Sequence, residues 1–438
     1  MTVTHSAKRL DTPRRSLGRL ILALAAIALT TRFAVLIVFW PVWIWHSGHI
    51  QDDWNKLAIN WIQSGTFGFT ATEPTVQRGP MFPLFEIPLY LIFGENYACW
   101  SICLLLFDGF TSVLLLLLGR RLWGTRAAFL AALFHAVYLP VIYYTALINQ
   151  FTTVLPFVIL WFYLISSWDL RMSRKPHYAA LGLVGGVLIL NKVVYLPVVI
   201  GSIAALLWSR RKEHDAWIAL KHSALVLLIA GAVVAPWTYR NYVVTNGAFI
   251  PVQSLFWEAI WQKFIMLDLN AREGWNRPPG RTLEYFLARQ RQLMESLGDD
   301  RTEHLRGPQR ELYHERAFQQ QVLEWLTQNP TAYARNIASN VWYFWVGAEN
   351  STKTLLMAAM QIPLLAAFLL GLFLATRYRK VYTLRLGLIL ILILWAEYSA
   401  VFGWGRYSLD TVPVLALIFG TGVDAWMSHN ESRIATAA

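Results

Sequence analysis

Two adjacent aspartates, Asp52 and Asp53, stand directly before Trp54, and four basic residues, Arg78, Lys192, Arg240 and Arg406, lie far apart beside apolar runs. A carboxylate at a water-accessible boundary can take the proton of an acceptor hydroxyl. Arginine and lysine at such a boundary can hold a phosphate, arginine through forked hydrogen bonds. In a helix the two aspartates point about 100° apart, so only one of them serves a given site. Asn149, Gln150, Asn191, Tyr239 and Tyr407 flank the basic residues and are further pocket candidates. Each has an ordinary role beside the chemical one: helix capping or solvation for the aspartates, snorkelling to the headgroups for Lys192, an ion pair with Glu397 for Arg406. His46 and His49 precede the aspartates without a diagnostic ligand spacing, so no metal site and no cofactor is assigned.

The elements that must position these residues are membrane helices. Of 438 residues, 56% are hydrophobic and 15% charged, and the apolar residues form long blocks separated by basic clusters. A bilayer core needs about 20 apolar helical residues, and blocks of that length recur, which predicts an all-α polytopic protein with about ten crossings. The net charge of +12 sits in the clusters between blocks, where positive-inside topology explains it without nucleic acid. The 21 tryptophans suit interfacial anchoring or the lining of a groove for a greasy or sugar-bearing ligand, and the two cysteines, Cys99 and Cys103, read as packing residues.

Charge fixes an orientation. The basic N-terminus before the first span, 17–40, reads as an uncleaved signal anchor with its start in the cytoplasm. Residues 41–96 then lie outside, and GPMFPLFEIPLYLIFG within them is short, proline-rich and interrupted by Glu86. Treating it as a crossing would put every later basic loop on the wrong side, so it is read as interfacial or re-entrant. Spans at 97–118, 126–147, 150–168, 178–190, 193–208 and 218–238 complete an N-terminal membrane domain of residues 1–238. Residues 239–353 form an external, mostly helical region, and 354–438 carry three more spans, 354–376, 382–401 and 407–427, with both termini cytoplasmic in a plasma (inner) membrane. On this topology the candidate residues share the non-cytoplasmic face.

Four stretches carry a resemblance. DDWNKLAINWIQSGTFGFTATEPTVQRGPMFPLFEIPLYLIFG, APWTYRNYVVTNGAFIPV, AFQQQVLEWLTQNPTAYARN and GRYSLDTVPVLALIFG, in that order, are similar to the first external loop, the exit into the external region, an external helix and the final span of the GT-C class of polyprenyl-phosphate-dependent glycosyltransferases, which includes the protein mannosyltransferase and aminoarabinose transferase families. The resemblance implies a GT-C-like fold with an amphipathic first external loop, and inverting transfer of a sugar from a polyprenyl-phosphate donor to a glycan, lipid or protein acceptor. It implies a base at Asp52 or Asp53 and donor-phosphate contacts at Lys192, Arg240, Arg406 and Arg78. A phosphodiester leaves readily, so this scheme calls for no metal. Two departures stand out: the acid pair directly precedes its aromatic, and Asn149 and Gln150 occupy the place where many members carry a second acid. The competing reading is a transporter or flippase of lipid-linked or amphiphilic anionic solutes, which needs a polar path to the cytoplasmic face. A non-catalytic envelope scaffold is a third.

Overall fold

The computed structural model describes residues 14–43, 53–168, 175–209, 216–273, 281–296, 305–348, 351–378, 382–401 and 403–437, and these are helical, with no strand among the described residues. The membrane part comprises α1 (Arg14–Trp43), α4 (Tyr97–Trp123), α5 (Thr125–Val137), α6 (Leu139–Ala146), α7 (Phe151–Ser166), α8 (Lys175–Asn191), α9 (Tyr195–Ser209), α10 (Ala216–Val244), α15 (Ser351–Tyr378), α16 (Tyr382–Ala400) and α17 (Val412–Ala437). A 3₁₀ segment, Gly405–Thr411, leads into α17. The segment between α1 and α4, expected to be the first external loop, carries α2 (Trp54–Ser64) and α3 (Met81–Phe93); the segment between α10 and α15, expected to be the external region, carries α11 (Phe256–Glu273), α12 (Arg281–Ser296), α13 (Pro308–Gln328) and α14 (Pro330–Val346).

Each of the ten expected crossings falls on one of these helices or on the α5–α6 pair. By length and apolarity, however, five described helices suffice to cross a membrane, and six if the bent pair counts as one span. The 16-residue α7 extends only about 24 Å at 1.5 Å per residue, short of a bilayer core of about 30 Å. The 13-residue α3 is shorter still, and it packs along α2, α4, α7 and α8.

α5 and α6 meet at a bend of 52°. Pro140 has no N–H to give to the Ala136 carbonyl four residues back, so that carbonyl is left open inside the bundle. Two residues of α1 fill it: Thr31 Oγ1 donates at 2.7 Å and an Arg32 terminal nitrogen at 3.0 Å. The guanidinium is fully buried, and Asp108 of α4 balances it, accepting from Arg32 Nε at 3.0 Å. His135 joins through Nδ1, 2.9 Å from Ser112 Oγ. Charge at this depth is tolerated because it is paired and hydrogen-bonded.

Small residues let the helices close. A Cβ at Gly182 or Gly186 of α8 would run into Ile229 and Val233 of α10, which makes a small-residue seam of the kind membrane helices use.

The external helices have their own apolar cluster, with Trp261 and Phe264 of α11 against Phe318 and Trp325 of α13. Pro308 and Pro330 open α13 and α14 where a missing N–H is harmless. α11, whose sequence FWEAIWQKFIMLDLNARE mixes aromatic, acidic and basic residues, is an element that the sequence did not single out.

Candidate functional site

Asp53 closes the turn before α2 with a left-handed backbone, φ 54°, a conformation that aspartate tolerates better than most residues. Its side chain makes no capping bond to α2; it is half exposed and sits 3.1 Å from Lys56, an exposed pair that contributes little stability. Asp52, His46 and His49 lie outside the described residues. Among the described residues no cluster of His, Cys, Asp and Glu could hold a metal ion.

Next to Asp53, Trp54 is buried with its edge toward the Phe82 ring, centroids 5.7 Å apart. The Arg78 guanidinium lies 5.5 Å from the Trp54 ring and 5.8 Å from Phe69, a double cation–π arrangement. Among the described residues Arg78 gives one hydrogen bond, to the Gln77 carbonyl at 3.3 Å, and its buried Nε has no hydrogen-bond partner. An aromatic cradle thus presents a guanidinium with donors to spare, while the side chain of the neighbouring Asp53 turns to Lys56.

Gly79 and Pro80 carry the loop from Arg78 onto the end of α8. A Cβ at Gly79 would collide with the Leu190 carbonyl, so only glycine lets the loop lie this close to Asn191 and Lys192. Asn191 is buried, and its Oδ1 accepts from Thr153 Oγ1 at 3.0 Å, which joins the end of α8 to the start of α7. There Asn149 Oδ1 accepts the Phe151 N–H at 3.1 Å, and the Gln150 carbonyl accepts from Thr153 at 2.9 Å. The structure gives both residues helix-start duties.

Lys192 neither snorkels nor stands alone. Its Nζ is 2.9 Å from Asp410 Oδ2 and 3.3 Å from Oδ1, with Asp410 fully buried. Asp410 went unnoticed in the sequence although GRYSLD contains it four residues after Arg406. Arg406 lies between the Trp404 and Tyr407 rings, at 4.9 and 5.1 Å, and donates to the Tyr407 hydroxyl at 3.2 Å; Tyr407 in turn stacks on Tyr398 at 4.5 Å. Glu397 has no ion-pair partner among the described residues, so the expected pairing with Arg406 does not form there.

Arg240 is engaged differently. Its terminal nitrogens donate to the Thr75 carbonyl at 2.6 Å and the Phe67 carbonyl at 3.0 Å, and its plane covers Phe67 and Trp237. It fastens the first external loop to α10. Tyr239, one residue earlier, is 71% exposed and lines no enclosed site.

The structure therefore links Trp54, Arg78 and Gly79 of the loop to Asn191 at the end of α8 and to the α7 start, and pairs Lys192, which follows α8, with Asp410 before α17, while the Asp53 side chain contacts Lys56. Another buried acid, Glu86 of α3, has no hydrogen-bond partner on either carboxyl oxygen, and its only sequence signal was its interruption of an apolar run.

A bundle of apolar helices with two helices inserted between α1 and α4 and four more between α10 and α15 is the GT-C class of fold. The family described as dolichyl-phosphate-mannose-protein mannosyltransferase matches residues 77–239, a stretch that begins just before Arg78, takes in α3 and the α7–α8 junction and stops within α10. Among solved structures, the chain is similar to the archaeal oligosaccharyltransferase AglB from Archaeoglobus fulgidus in complex with an inhibitory peptide and a dolichol-phosphate, with a TM-score of 0.54 and 14% identity over 96% of this chain and 52% of that one. The apo form of the Archaeoglobus fulgidus oligosaccharyltransferase gives a TM-score of 0.56, at 14% identity over 97% and 52% of the two chains. ArnT from Cupriavidus metallidurans bound to undecaprenyl phosphate gives 0.53, at 15% identity over 95% and 63%. The chain spans between half and two thirds of the length of these proteins, and at such identities the likeness is one of fold. No curated protein sequence matches it.

Proposed function

We propose that this chain is a polyprenyl-phosphate-dependent glycosyltransferase of the GT-C class that works on the non-cytoplasmic face of the plasma membrane, with both termini in the cytoplasm. The observation that carries the reading is the Arg78 guanidinium held over Trp54, the residue that follows Asp53, with its Nε unengaged. The indole that carries Arg78 thus follows the candidate acid directly in sequence. AglB and ArnT were solved with dolichol-phosphate and undecaprenyl phosphate, which supports a lipid phosphate as the donor's anchor.

In the proposed reaction Asp53, or Asp52 beside it, takes the proton of the acceptor hydroxyl. The acceptor oxygen attacks the anomeric carbon, the bond from that carbon to the phosphate oxygen breaks, and the lipid phosphate departs with the electron pair, inverting the centre. Arg78 binds the phosphate by forked hydrogen bonds and stabilises the charge that grows on it. Arg406 and Lys192 add positive potential, Lys192 after partial release from Asp410, while Arg240 keeps the loop in place. The transport reading gains little from the buried mid-span charges, since Arg32 and Asp108 close the α5–α6 break rather than line a path.

The experiment is a glycolipid and glycoprotein analysis of cells that lack the protein, complemented with wild type, Asp52→Asn, Asp53→Asn or Arg78→Ala at matched abundance. The expected result is an accumulated lipid-phosphate sugar with a missing glycan, restored by wild type and not by Arg78→Ala or by one of the aspartate variants. Normal transfer by both aspartate variants would sink the base assignment, and accumulation without a missing product would favour transport. A tag within 239–353 reached only from the cytoplasm would undo the topology and the reaction together.

A further inference from the structure

The external region touches the first loop at the segment that leads into Arg78. Glu311, in the first turn of α13, accepts from Thr75 Oγ1 at 2.6 Å and from the Val76 backbone N–H at 2.8 Å. The Val76 carbonyl accepts the Ser254 N–H at 2.9 Å, and Arg310 pairs with Glu73 at 3.1 Å. The loop also closes on itself, the Thr75 N–H reaching the Phe67 carbonyl at 2.9 Å. Residues 67–76 are therefore gripped by Arg240 of α10 and Glu311 of α13, which meet at Thr75.

One helical turn further on, Glu315 accepts the N–H groups of Trp257 and Glu258 at 2.7 and 3.2 Å. Residues four apart share a helix face, so α13 uses two carboxylates on one face to hold two backbones: the loop before Arg78 and the first turn of α11. A carboxylate also suits the positive end of α11. Burial raises the Glu311 and Glu258 carboxyls above their ordinary value, and the nearby Arg78 charge opposes that rise.

We infer that Glu311 is a positioning residue for Arg78: by fixing Thr75 and Val76 it sets where the loop leaves α13 and hence where the guanidinium meets the lipid phosphate. The inference rests on the proposed role of Arg78, and it assigns the external helices a part in donor binding although they contribute no group to the phosphate.

The test uses the purified full-length chain and undecaprenyl phosphate as probe, with hydrogen exchange over residues 67–78 measured on the same samples without lipid. Glu311→Ala removes both acceptors. Glu311→Gln keeps them in kind, its amide oxygen accepting from Val76 and its amide nitrogen donating to Thr75 Oγ1. Loss of these bonds is expected to raise exchange across 67–78 and weaken lipid binding about tenfold, with Glu311→Gln returning both toward wild type and Glu324→Ala, on the exposed face of α13, leaving both unchanged. Unaltered exchange in Glu311→Ala would overturn the grip itself, whatever the lipid does. Raised exchange with wild-type binding, while Arg78→Ala binds poorly, would overturn the positioning role and spare the reading of Arg78. Wild-type binding by Arg78→Ala would remove that reading and this inference with it.

Discussion

At the scale of single residues, Lys192 and Asp410 pose a question that mutation can divide. The pair joins α8 to the segment before α17 across 218 positions of chain, with the carboxylate fully buried. Removing one member of a buried pair leaves an uncompensated charge and costs about 3–5 kcal/mol, whereas replacing both with apolar groups of similar volume is often close to neutral. We therefore expect Lys192→Met to lower the thermal midpoint in detergent sharply, and Lys192→Met with Asp410→Leu to recover most of the loss. If Lys192 also serves the donor phosphate, transfer stays absent in the stable double variant. A double variant as active as wild type would make the pair purely structural. The sequence marked Lys192 as a charge between apolar segments, and that much was readable because burial of a lone charge is rare. Its partner was not, because nothing along the chain ties position 192 to position 410. Arg240 was misleading for the same reason: an arginine at the end of a span looks like an anion binder until the carbonyls of Phe67 and Thr75 are brought to it.

At the scale of elements, the bend between α5 and α6 shows what local sequence can and cannot say. The sequence reads as one span over 126–147, yet Pro140 cannot donate to the Ala136 carbonyl and the structure breaks the span there. That Thr31 and Arg32 of another helix satisfy the carbonyl, with Asp108 and His135 completing the set, follows only from packing α1 against α4 and α5. Arg32→Met strips the carbonyl of one donor and leaves Asp108 buried without its countercharge, so we expect a loss of about 3–5 kcal/mol. Adding Asp108→Asn should recover part of the loss, because a neutral amide tolerates the site better. Unfolding in detergent, followed by tryptophan fluorescence, checks this. An Arg32→Met protein as stable as wild type would show that the network does not hold the bend. Helix positions were legible throughout the membrane part, since long apolar blocks have few other uses. α11 was hidden because its aromatic, acidic and basic residues gain their pattern only against α13.

At the scale of the whole molecule, the helices between α10 and α15 are held to one another by groups that titrate, Glu315 of α13 on the start of α11 and Lys263 of α11 against Tyr343 of α14, and this predicts how their packing responds to pH. Burial pushes the Glu315 carboxyl up to about 7, against the pull of the Trp257 and Glu258 N–H groups. A group whose folded pKa lies above its unfolded value binds more protons in the folded state between the two. Its contribution is thus fully present below the ordinary carboxyl value of 4.5 and is lost as pH rises through about 7. Lys263 of α11 is buried against the Tyr343 ring at 4.8 Å, and burial pulls its ammonium down to about 8 from 10.5. Between those values the unfolded chain binds more protons, so this term increases stability as pH rises from about 8 toward 10.5. The two windows do not overlap, so the external helices should show a shallow minimum of stability between them, near pH 7 to 8. Glu315→Gln should flatten the acid side of that profile and leave the alkaline side, and Lys263→Met should do the reverse. Hydrogen exchange of α11 and α13 across the pH series, corrected for intrinsic exchange rates, measures both. A Glu315→Gln profile that still falls between pH 4.5 and 7 would show that some other acid governs the packing of these helices, with Glu258 and Glu311, both raised by burial, next to be replaced.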